Sequence, residues 1–231
     1  MTLASAAAWA VHLYTALGAV CGFGAVLATV QADYRGAFLW LVAATCIDAT
    51  DGVLARAADV KTHAPRFDGA RLDDIVDYLT YVFAPAFLMY RAGVLPETWG
   101  VAVAAIVLLS SAYGFAATDA KADDHFFTGF PSYWNIVAVY LFAAELPQAI
   151  NGAFLLVLSA LVFVRIGYIY PTRTPELRGL TIALGAIWAV MVLAIILMMP
   201  DVPRLLLLGS LFFPVYYTVL SLVLQGRRRK A

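Results

Sequence analysis

Residues Ile182 to Met199 read IALGAIWAVMVLAIILMM, an apolar run of eighteen residues that contains no charge. A run of this length is typical of a helix that crosses a membrane. The rest of the chain has the same character, because 63% of its 231 residues are hydrophobic and 13% are charged, against roughly 25% charged in soluble domains. Too few polar residues remain to cover a water-soluble core. The composition therefore excludes a soluble domain and a disordered chain, and it predicts an integral membrane protein.

Apolar segments of about 20 residues recur along the chain without period-2 alternation, which favours helices over the strands of a barrel. We predict an all-α, polytopic integral membrane bundle with about eight transmembrane helices. Residues 1–231 are expected to form a single membrane domain, and the fifth segment is the shortest. The predicted spans are 9–30, 36–56, 73–93, 98–118, 133–146, 149–170, 178–199 and 204–224.

Lys and Arg residues are shared unevenly between alternate loops. If the N-terminus lies in the cytoplasm, eleven of them fall on the cytoplasmic side and three outside. Because cytoplasmic loops are enriched in Lys and Arg, both termini are predicted to be cytoplasmic. The overall balance is 15 basic to 15 acidic residues, so no net charge favours nucleic acid as a partner. The cytoplasmic group is Arg56, Lys61, Arg66, Arg71, Lys121, Arg173, Arg178 and the tail 227–230, and the outer group is Arg35, Arg91 and Arg204.

Two acidic stretches flank the loop between the second and third spans: residues 48–56 read DATDGVLAR and residues 69–77 read GARLDDIVD. Asp48 and Asp51 in the first stretch are three positions apart, and Asp73 and Asp77 in the second are four apart, so each pair shares one helix face. Because one loop joins the two helices, these faces are expected to meet near the inner membrane surface. Four carboxylates there would repel one another unless cations lay between them, and hard oxygen ligands suit Mg²⁺ or Mn²⁺. The alternative is an acidic cluster that is merely solvated at a helix boundary.

The two stretches together resemble the signature of the CDP-alcohol phosphatidyltransferases, integral membrane enzymes of phospholipid synthesis. The twelve-residue spacer between them is longer than is usual in that family and resembles the spacer of its bacterial phosphatidylcholine synthase branch. Two other stretches are similar to the same branch, HLYTALG at 12–18 and GFPSYWN at 129–135. The signature positions are filled by Asp48, Asp51, Gly52, Ala55, Arg56, Gly69, Asp73 and Asp77.

The resemblance implies that CDP-diacylglycerol and choline are the substrates, and that phosphatidylcholine and CMP are the products. It also implies two divalent ions, Mn²⁺ or Mg²⁺, with Asp48, Asp51, Asp73 and Asp77 as their ligands. Asp77 is the implied catalytic base for the choline hydroxyl. The chain is further expected to form a homodimer in the bacterial inner membrane, with its active site facing the cytoplasm. The residues implied to bind CDP-diacylglycerol are His12, Thr15, Gly52, Ala55, Arg56 and Gly69.

Choline recognition is predicted from chemistry, because a quaternary ammonium has no N–H to donate and binds the faces of aromatic rings. Aromatic residues near the cytoplasmic helix ends are the candidates. Tyr133 and Trp134, with Asn135 beside them, come first, and Tyr78 and Tyr81 follow. The alternative for each is a role at the membrane interface or in core packing.

Two other functions remain open. A sibling transferase would use serine, glycerol phosphate or inositol phosphate, although an anionic acceptor would call for more basic residues than the cytoplasmic side offers. A cation-coupled transporter would also carry carboxylates inside helices, but near the bilayer midplane and within inverted repeats. Arg165, inside the sixth predicted span, either snorkels to the inner surface or faces the pocket.

Overall fold

The first two helices form a long hairpin that carries half of the acidic signature. The computed structural model describes residues 2–117, 126–169 and 177–228. In it, α1 spans Leu3–Val30 and α2 spans Tyr34–Ala57. Thr2 and Asp33 cap these helices, each accepting a hydrogen bond from a backbone N–H of the first turn. The hairpin therefore brings the C-terminal end of α2, with its Asp residues, beside the N-terminal half of α1.

The second half of the signature begins a helical run that changes its winding. After a single turn, α3 (Val60–His63), helix α4 spans Gly69–Asp77 and starts where Asp68 accepts a hydrogen bond from the backbone N–H of Arg71, at 3.0 Å. A π-helical segment, Tyr78–Phe83, follows, and α5 continues over Ala84–Arg91. Pro85 has no N–H to donate to the preceding turn, which favours this wider winding.

The remaining helices complete the bundle, and a small strand pair joins two of the connections. The strands β1 and β2 are antiparallel, with Phe127 opposite Tyr168. The bounds of these helices and strands, in chain order, are α6 (Gly100–Ala116), β1 (Phe126–Thr128), α7 (Trp134–Ala144), α8 (Gln148–Leu161), β2 (Gly167–Ile169), α9 (Arg178–Met198), α10 (Arg204–Ser210) and α11 (Phe212–Arg228).

The prediction of a helical membrane protein is confirmed. Within the described residues, α1, α2, α9 and the stretch Arg204–Gly226 are long and apolar enough to cross a membrane, while α6, α7 and α8 are apolar but shorter. Their outer faces carry exposed apolar side chains such as Phe23 and Val190. In water that surface would be unfavourable, so it is suited to contact with lipid. Each of the eight predicted segments contains a helix.

The sixth predicted span, 149–170, was wrong in its extent. Helix α8 ends at Leu161, whose carbonyl accepts a hydrogen bond from the backbone N–H of Phe130, and the chain then enters β2. Arg165 consequently lies beyond the helix and is exposed, rather than inside a span. The error arose because apolar content alone does not distinguish a helix from the strand that follows it. Lys121, Arg173 and residues 229–230, which entered the topology prediction, lie outside the described residues.

Close packing of α1 against α4 and the π-helical segment brings the two halves of the signature together. A Cβ added to Gly18 would lie 2.5 Å from Cγ1 of Val76, and one added to Gly22 would lie 3.3 Å from Cγ2 of Thr80. Because side chains at these positions have no room, the helix backbones approach closely. The same face of α1 carries His12 and Thr15 toward the acidic residues.

Candidate active site

Three carboxylates converge where α2, α4 and the π-helical segment meet. Each of Asp48, Asp73 and Asp77 offers an oxygen within 4.8 Å of the oxygens offered by the other two, and all three side chains are half-buried. Asp73 and Asp77 share a face because they lie one turn apart on α4, and the packing of α2 supplies Asp48. Such a set of hard oxygen donors can hold a divalent cation, which would relieve the repulsion among them.

Asp51, the fourth predicted ligand, is not part of this three-carboxylate group. It is buried, and its Oδ2 accepts a hydrogen bond of 2.8 Å from the hydroxyl of Thr15 on α1. Thr15 was predicted to contact CDP-diacylglycerol, and in the structure its hydroxyl orients a signature carboxylate. A charged acceptor makes this hydrogen bond stronger than one between neutral groups.

The aromatic side chain of Tyr81 is hydrogen-bonded to the three-carboxylate group. Its hydroxyl donates to Oδ2 of Asp48 at 2.7 Å, and Thr45 is also within side-chain hydrogen-bonding reach. Asp73, Asp77 and Tyr81 are spaced four residues apart, so their side chains lie on successive turns of the same helical run. The π-helical winding at Tyr81 is of the kind often found at functional sites.

A cavity of about 640 Å³ adjoins the site between α1, the end of α2 and the start of α4. All six residues predicted to bind CDP-diacylglycerol line it, together with Asp51 and Asp73. Arg56 and Lys61 provide positive charge at this end of the molecule. Sequence reasoning missed Lys61 and Phe67, whose only signal was their position in the spacer. The lining set includes His12, Thr15, Gly52, Ala55, Arg56, Lys61, Phe67 and Gly69.

His12 is held firmly against the start of α4. Its ring centroid lies 4.6 Å from that of Phe67 and 5.9 Å from that of Trp9, and the side chain is only 5% exposed. A Cβ on Gly69 would lie 2.8 Å from Cε1 of His12, so only glycine leaves room for the imidazole. The Nε2 atom of His12 is buried and has no hydrogen-bond partner within the protein. A buried polar atom of this kind favours a ligand in the adjoining cavity.

The residues predicted to bind choline occupy different environments. Tyr133 lies at the start of α7, with its ring centroid 6.2 Å from that of Tyr81. Trp134 is fully buried, and its indole N–H donates to Oγ of Ser111 at 2.7 Å. Tyr133 is therefore close to Tyr81, which contacts the carboxylates, whereas Trp134 packs in the core.

The other two candidates also differ in their surroundings. Tyr78 donates its hydroxyl to the carbonyl of Leu108 at 3.0 Å. Asn135 donates to Oγ1 of Thr45 at 3.2 Å, and Thr45 is itself within reach of Tyr81. Asn135 is therefore connected to the site through a single side chain, whereas Tyr78 is anchored to α6.

Comparison with known proteins identifies the family. No protein-family model matches the chain. The phosphatidylcholine synthase of Pseudomonas aeruginosa is 40% identical over 93% of this chain and 90% of its own length. The enzyme of the same name from Legionella pneumophila is 40% identical over 93% of this chain and 87% of its own length, and that of Rhizobium meliloti is 32% identical over 94% and 90%. The chain therefore belongs to the phosphatidylcholine synthase family, membrane-bound phosphatidyltransferases of phospholipid biosynthesis.

Proposed function

We propose that the chain condenses CDP-diacylglycerol with choline at the three-carboxylate group, giving phosphatidylcholine and CMP. The observation that carries the proposal is the convergence of Asp48, Asp73 and Asp77 beside a cavity lined by the predicted CDP-diacylglycerol residues. The family to which the chain belongs supports the same reaction. An anionic donor fits a cavity that contains the side chains of Arg56 and Lys61.

The cavity lining suggests how the chain would hold the nucleotide end of the donor. Gly52 and Ala55 are small, so the phosphates can approach the backbone of α2. Arg56 can donate paired hydrogen bonds to phosphate oxygens. The buried Nε2 of His12 is available for a hydrogen bond to the cytidine or to a phosphate, and Gly69 allows His12 to take this position.

The carboxylate set fits a divalent cation by its chemistry and spacing. Asp48, Asp73 and Asp77 offer oxygens close enough to share an ion, and Asp51 is near enough to the cavity to assist a second one. We propose that they hold Mn²⁺ or Mg²⁺, with two ions in the complete site. Bound there, the ions would neutralise the pyrophosphate and the charge on departing CMP.

Asp77 is proposed to receive the proton of the choline hydroxyl. As the choline oxygen forms its bond to the β-phosphorus, the bond from that phosphorus to the CMP oxygen breaks, and the electron pair leaves with CMP. The proton passes to the Asp77 carboxylate. No covalent intermediate on the enzyme is required. Tyr133 is proposed as an aromatic contact for the choline ammonium, with Trp134 and Tyr78 as the other candidates.

The distribution of charge supports a cytoplasmic active site. The segment from the end of α2 to the start of α4 carries the exposed residues Arg56, Lys61, Arg66 and Arg71, and basic connections favour the cytoplasmic side. We propose that the site faces the cytoplasm from the bacterial inner membrane. The family resemblance also implies a homodimer, and cross-linking in native membranes would test that state.

The decisive experiment is CMP release from CDP-diacylglycerol by the purified protein with Mn²⁺. Choline is compared with serine, glycerol 3-phosphate and inositol phosphate, each at saturating concentration. Choline-dependent release is expected, with little release for the other alcohols. A preference for another alcohol would contradict choline as the acceptor, and no turnover with any alcohol would contradict the reaction and reopen the transporter alternative.

Two variants of neighbouring carboxylates test the assignment of the base. Asp77→Asn keeps the shape of the side chain but removes its basicity, and turnover is expected to fall by about 100-fold or more. Asp74→Asn is the matched control, because Asp74 lies on the same helix outside the three-carboxylate group. Equal losses in the two variants would contradict a special role for Asp77.

A further inference from the structure

We propose that the C-terminal helix α11 completes the choline site, with Tyr217 forming an aromatic wall for the trimethylammonium group beside Tyr81 and Tyr133. This inference rests on the proposed function and adds an element that no sequence motif indicated. The aromatic residues concerned form a tyrosine row, defined here as Tyr81, Tyr133, Tyr217 and Tyr168. The row begins at the three-carboxylate group and ends at β2.

Contacts connect each member of the tyrosine row to the next. The rings of Tyr81 and Tyr133 have centroids 6.2 Å apart and an interplanar angle of 53°. Tyr133 and Tyr217 are joined by a side-chain hydrogen bond. The ring of Tyr217 lies nearly parallel to that of Tyr168, at 15° and with centroids 6.0 Å apart. Five separate elements thus meet along the row, because Asp48 on α2 accepts the hydroxyl of Tyr81 at its near end.

The position of the row relative to the cavity favours an acceptor site. Asp73 belongs both to the three-carboxylate group and to the cavity lining, whereas Asp48 contacts Tyr81. The three-carboxylate group therefore adjoins both the cavity and the tyrosine row. In an in-line displacement the nucleophile approaches opposite the leaving group. An acceptor that entered along the tyrosine row would reach the carboxylates without crossing the nucleotide cavity, which leaves the side opposite the leaving CMP open to it.

The chemistry of the row matches a quaternary ammonium. Such a cation has no N–H donor, and it is attracted to ring faces within about 6 Å of their centroids. Tyr81 and Tyr133 are tilted rather than stacked, so they can form two walls of a wedge that leaves the cation in reach of both. The choline hydroxyl oxygen lies about 4 Å from its nitrogen, given bonds of about 1.5 Å. That length allows the hydroxyl to reach the carboxylates while the ammonium stays against the rings.

Tyr217 is half-buried, so its ring can contribute to a ligand site as well as to packing. Tyr168 is buried and holds the Tyr217 ring from the other side. Helix α11 also contacts the β2 connection elsewhere, where the Gln225 side-chain amide donates to the carbonyl of Arg165 at 3.0 Å. These contacts fix the helix that presents Tyr217. Tyr168 is accordingly a positioning residue, and Tyr217 is the expected substrate contact.

The test measures how substitutions at Tyr217 change the recognition of choline. Tyr217→Leu removes the ring face. We expect the KM for choline to rise about tenfold, because the variant loses a cation–π interaction at a largely desolvated site. Tyr217→Phe keeps the face and is expected to retain most of the choline affinity. Tetramethylammonium carries the cation without the hydroxyl, and its inhibition constant against choline should rise in parallel with the KM in Tyr217→Leu. The KM for CDP-diacylglycerol and kcat at saturating choline should stay near their original values.

Tyr216→Leu is the matched control on the same helix. The hydroxyl of Tyr216 is hydrogen-bonded to Thr181 on α9 at 2.8 Å, away from the tyrosine row. This substitution should leave the KM for choline unchanged. If Tyr217→Leu does not yield folded protein, Tyr133→Leu tests the same wedge from the start of α7.

Several results would overturn the inference. An unchanged choline KM in Tyr217→Leu, or in Tyr133→Leu if the former does not fold, would remove α11 or the wedge from the acceptor site. Failure of tetramethylammonium to compete with choline in the original protein would show that the cation is not recognised separately. Absence of choline-dependent CMP release from the original protein would instead refute the proposed function on which the inference rests.

Discussion

Replacing Gly69 by alanine tests whether the glycine of the signature is there to accommodate His12. The added Cβ would lie 2.8 Å from Cε1 and 3.1 Å from Nδ1 of His12. The carbon contact would be about 0.7 Å shorter than the usual minimum of about 3.5 Å. The imidazole cannot easily retreat, because its ring packs against Phe67 and Trp9. Gly69→Ala should therefore displace the ring and part of the cavity wall.

The expected loss of stability is about 2 kcal/mol, within the range measured for overpacking in protein interiors. For a chain of this size that corresponds to a fall in the melting temperature of about 4 to 8 °C. The purified protein would be unfolded by heat in detergent, with intrinsic fluorescence as the readout. Gly179→Ala is the matched control, since a Cβ there meets nothing within 4 Å. Its melting temperature should be unchanged or slightly higher, because alanine favours the helix.

A double variant separates the collision from any other effect of the new methyl group. In a His12→Ala background the imidazole is gone, and no other side chain lies within 4 Å of a Cβ on Gly69. Gly69→Ala should then be neutral or slightly stabilising. An equal loss of stability in both backgrounds would refute the reasoning. So would a loss in Gly179→Ala as large as that in Gly69→Ala.

Three further outcomes are expected from hydrogen bonds and from the carboxylates. Thr15→Val should destabilise the protein by about 1 to 3 kcal/mol, because the buried Asp51 loses a donor, and Thr15→Ser should retain stability in the same thermal assay. Tyr81→Phe should raise the Mn²⁺ concentration required for half-maximal CMP release about 10- to 100-fold, because Asp48 loses the hydrogen bond that orients it. An unchanged Mn²⁺ concentration at half-maximal release would contradict this role of Tyr81. Treatment with EDTA should abolish CMP release, and added Mn²⁺ or Mg²⁺ should restore it; activity that survives exhaustive chelation would count against a metal-dependent reaction.

Much of the architecture could be predicted from the apolar runs, because a lipid environment requires long helices with internally satisfied backbones. Apolar runs did not predict the end of α8 at Leu161. Nothing in the apolar composition of residues 162–170 indicates that the chain leaves the helix there, where the Leu161 and Ile166 carbonyls accept hydrogen bonds from the distant Phe130 and Gly129. A contact between residues so far apart in sequence leaves no periodic pattern.

The candidate site was predictable to the extent that its residues lie on regular helices close together in sequence. The spacing of Asp73 and Asp77 implies a shared face, and the short loop between the helices implies that this face meets the α2 stretch, from which the structure brings Asp48 beside them. The different position of Asp51 depends on Thr15, which belongs to another helix. Tyr217 shows the same limitation more strongly, because it lies at the far end of the chain and only tertiary packing brings it near Tyr133.

The π-helical segment has a consequence for how the chain length can vary. A π-helical turn holds one residue more than an α-helical turn. Deletion of a single residue within Tyr78–Phe83 could therefore restore α-helical winding without breaking the helix, and because the wider winding turns less per residue, the helix beyond it would keep nearly the same orientation relative to α4. Leu88 and Met89, now fully enclosed, would stay in the core, and only the side chains within the segment would change their positions. We therefore expect the bundle to tolerate a one-residue gap within these six positions, with changes in packing confined to the segment itself.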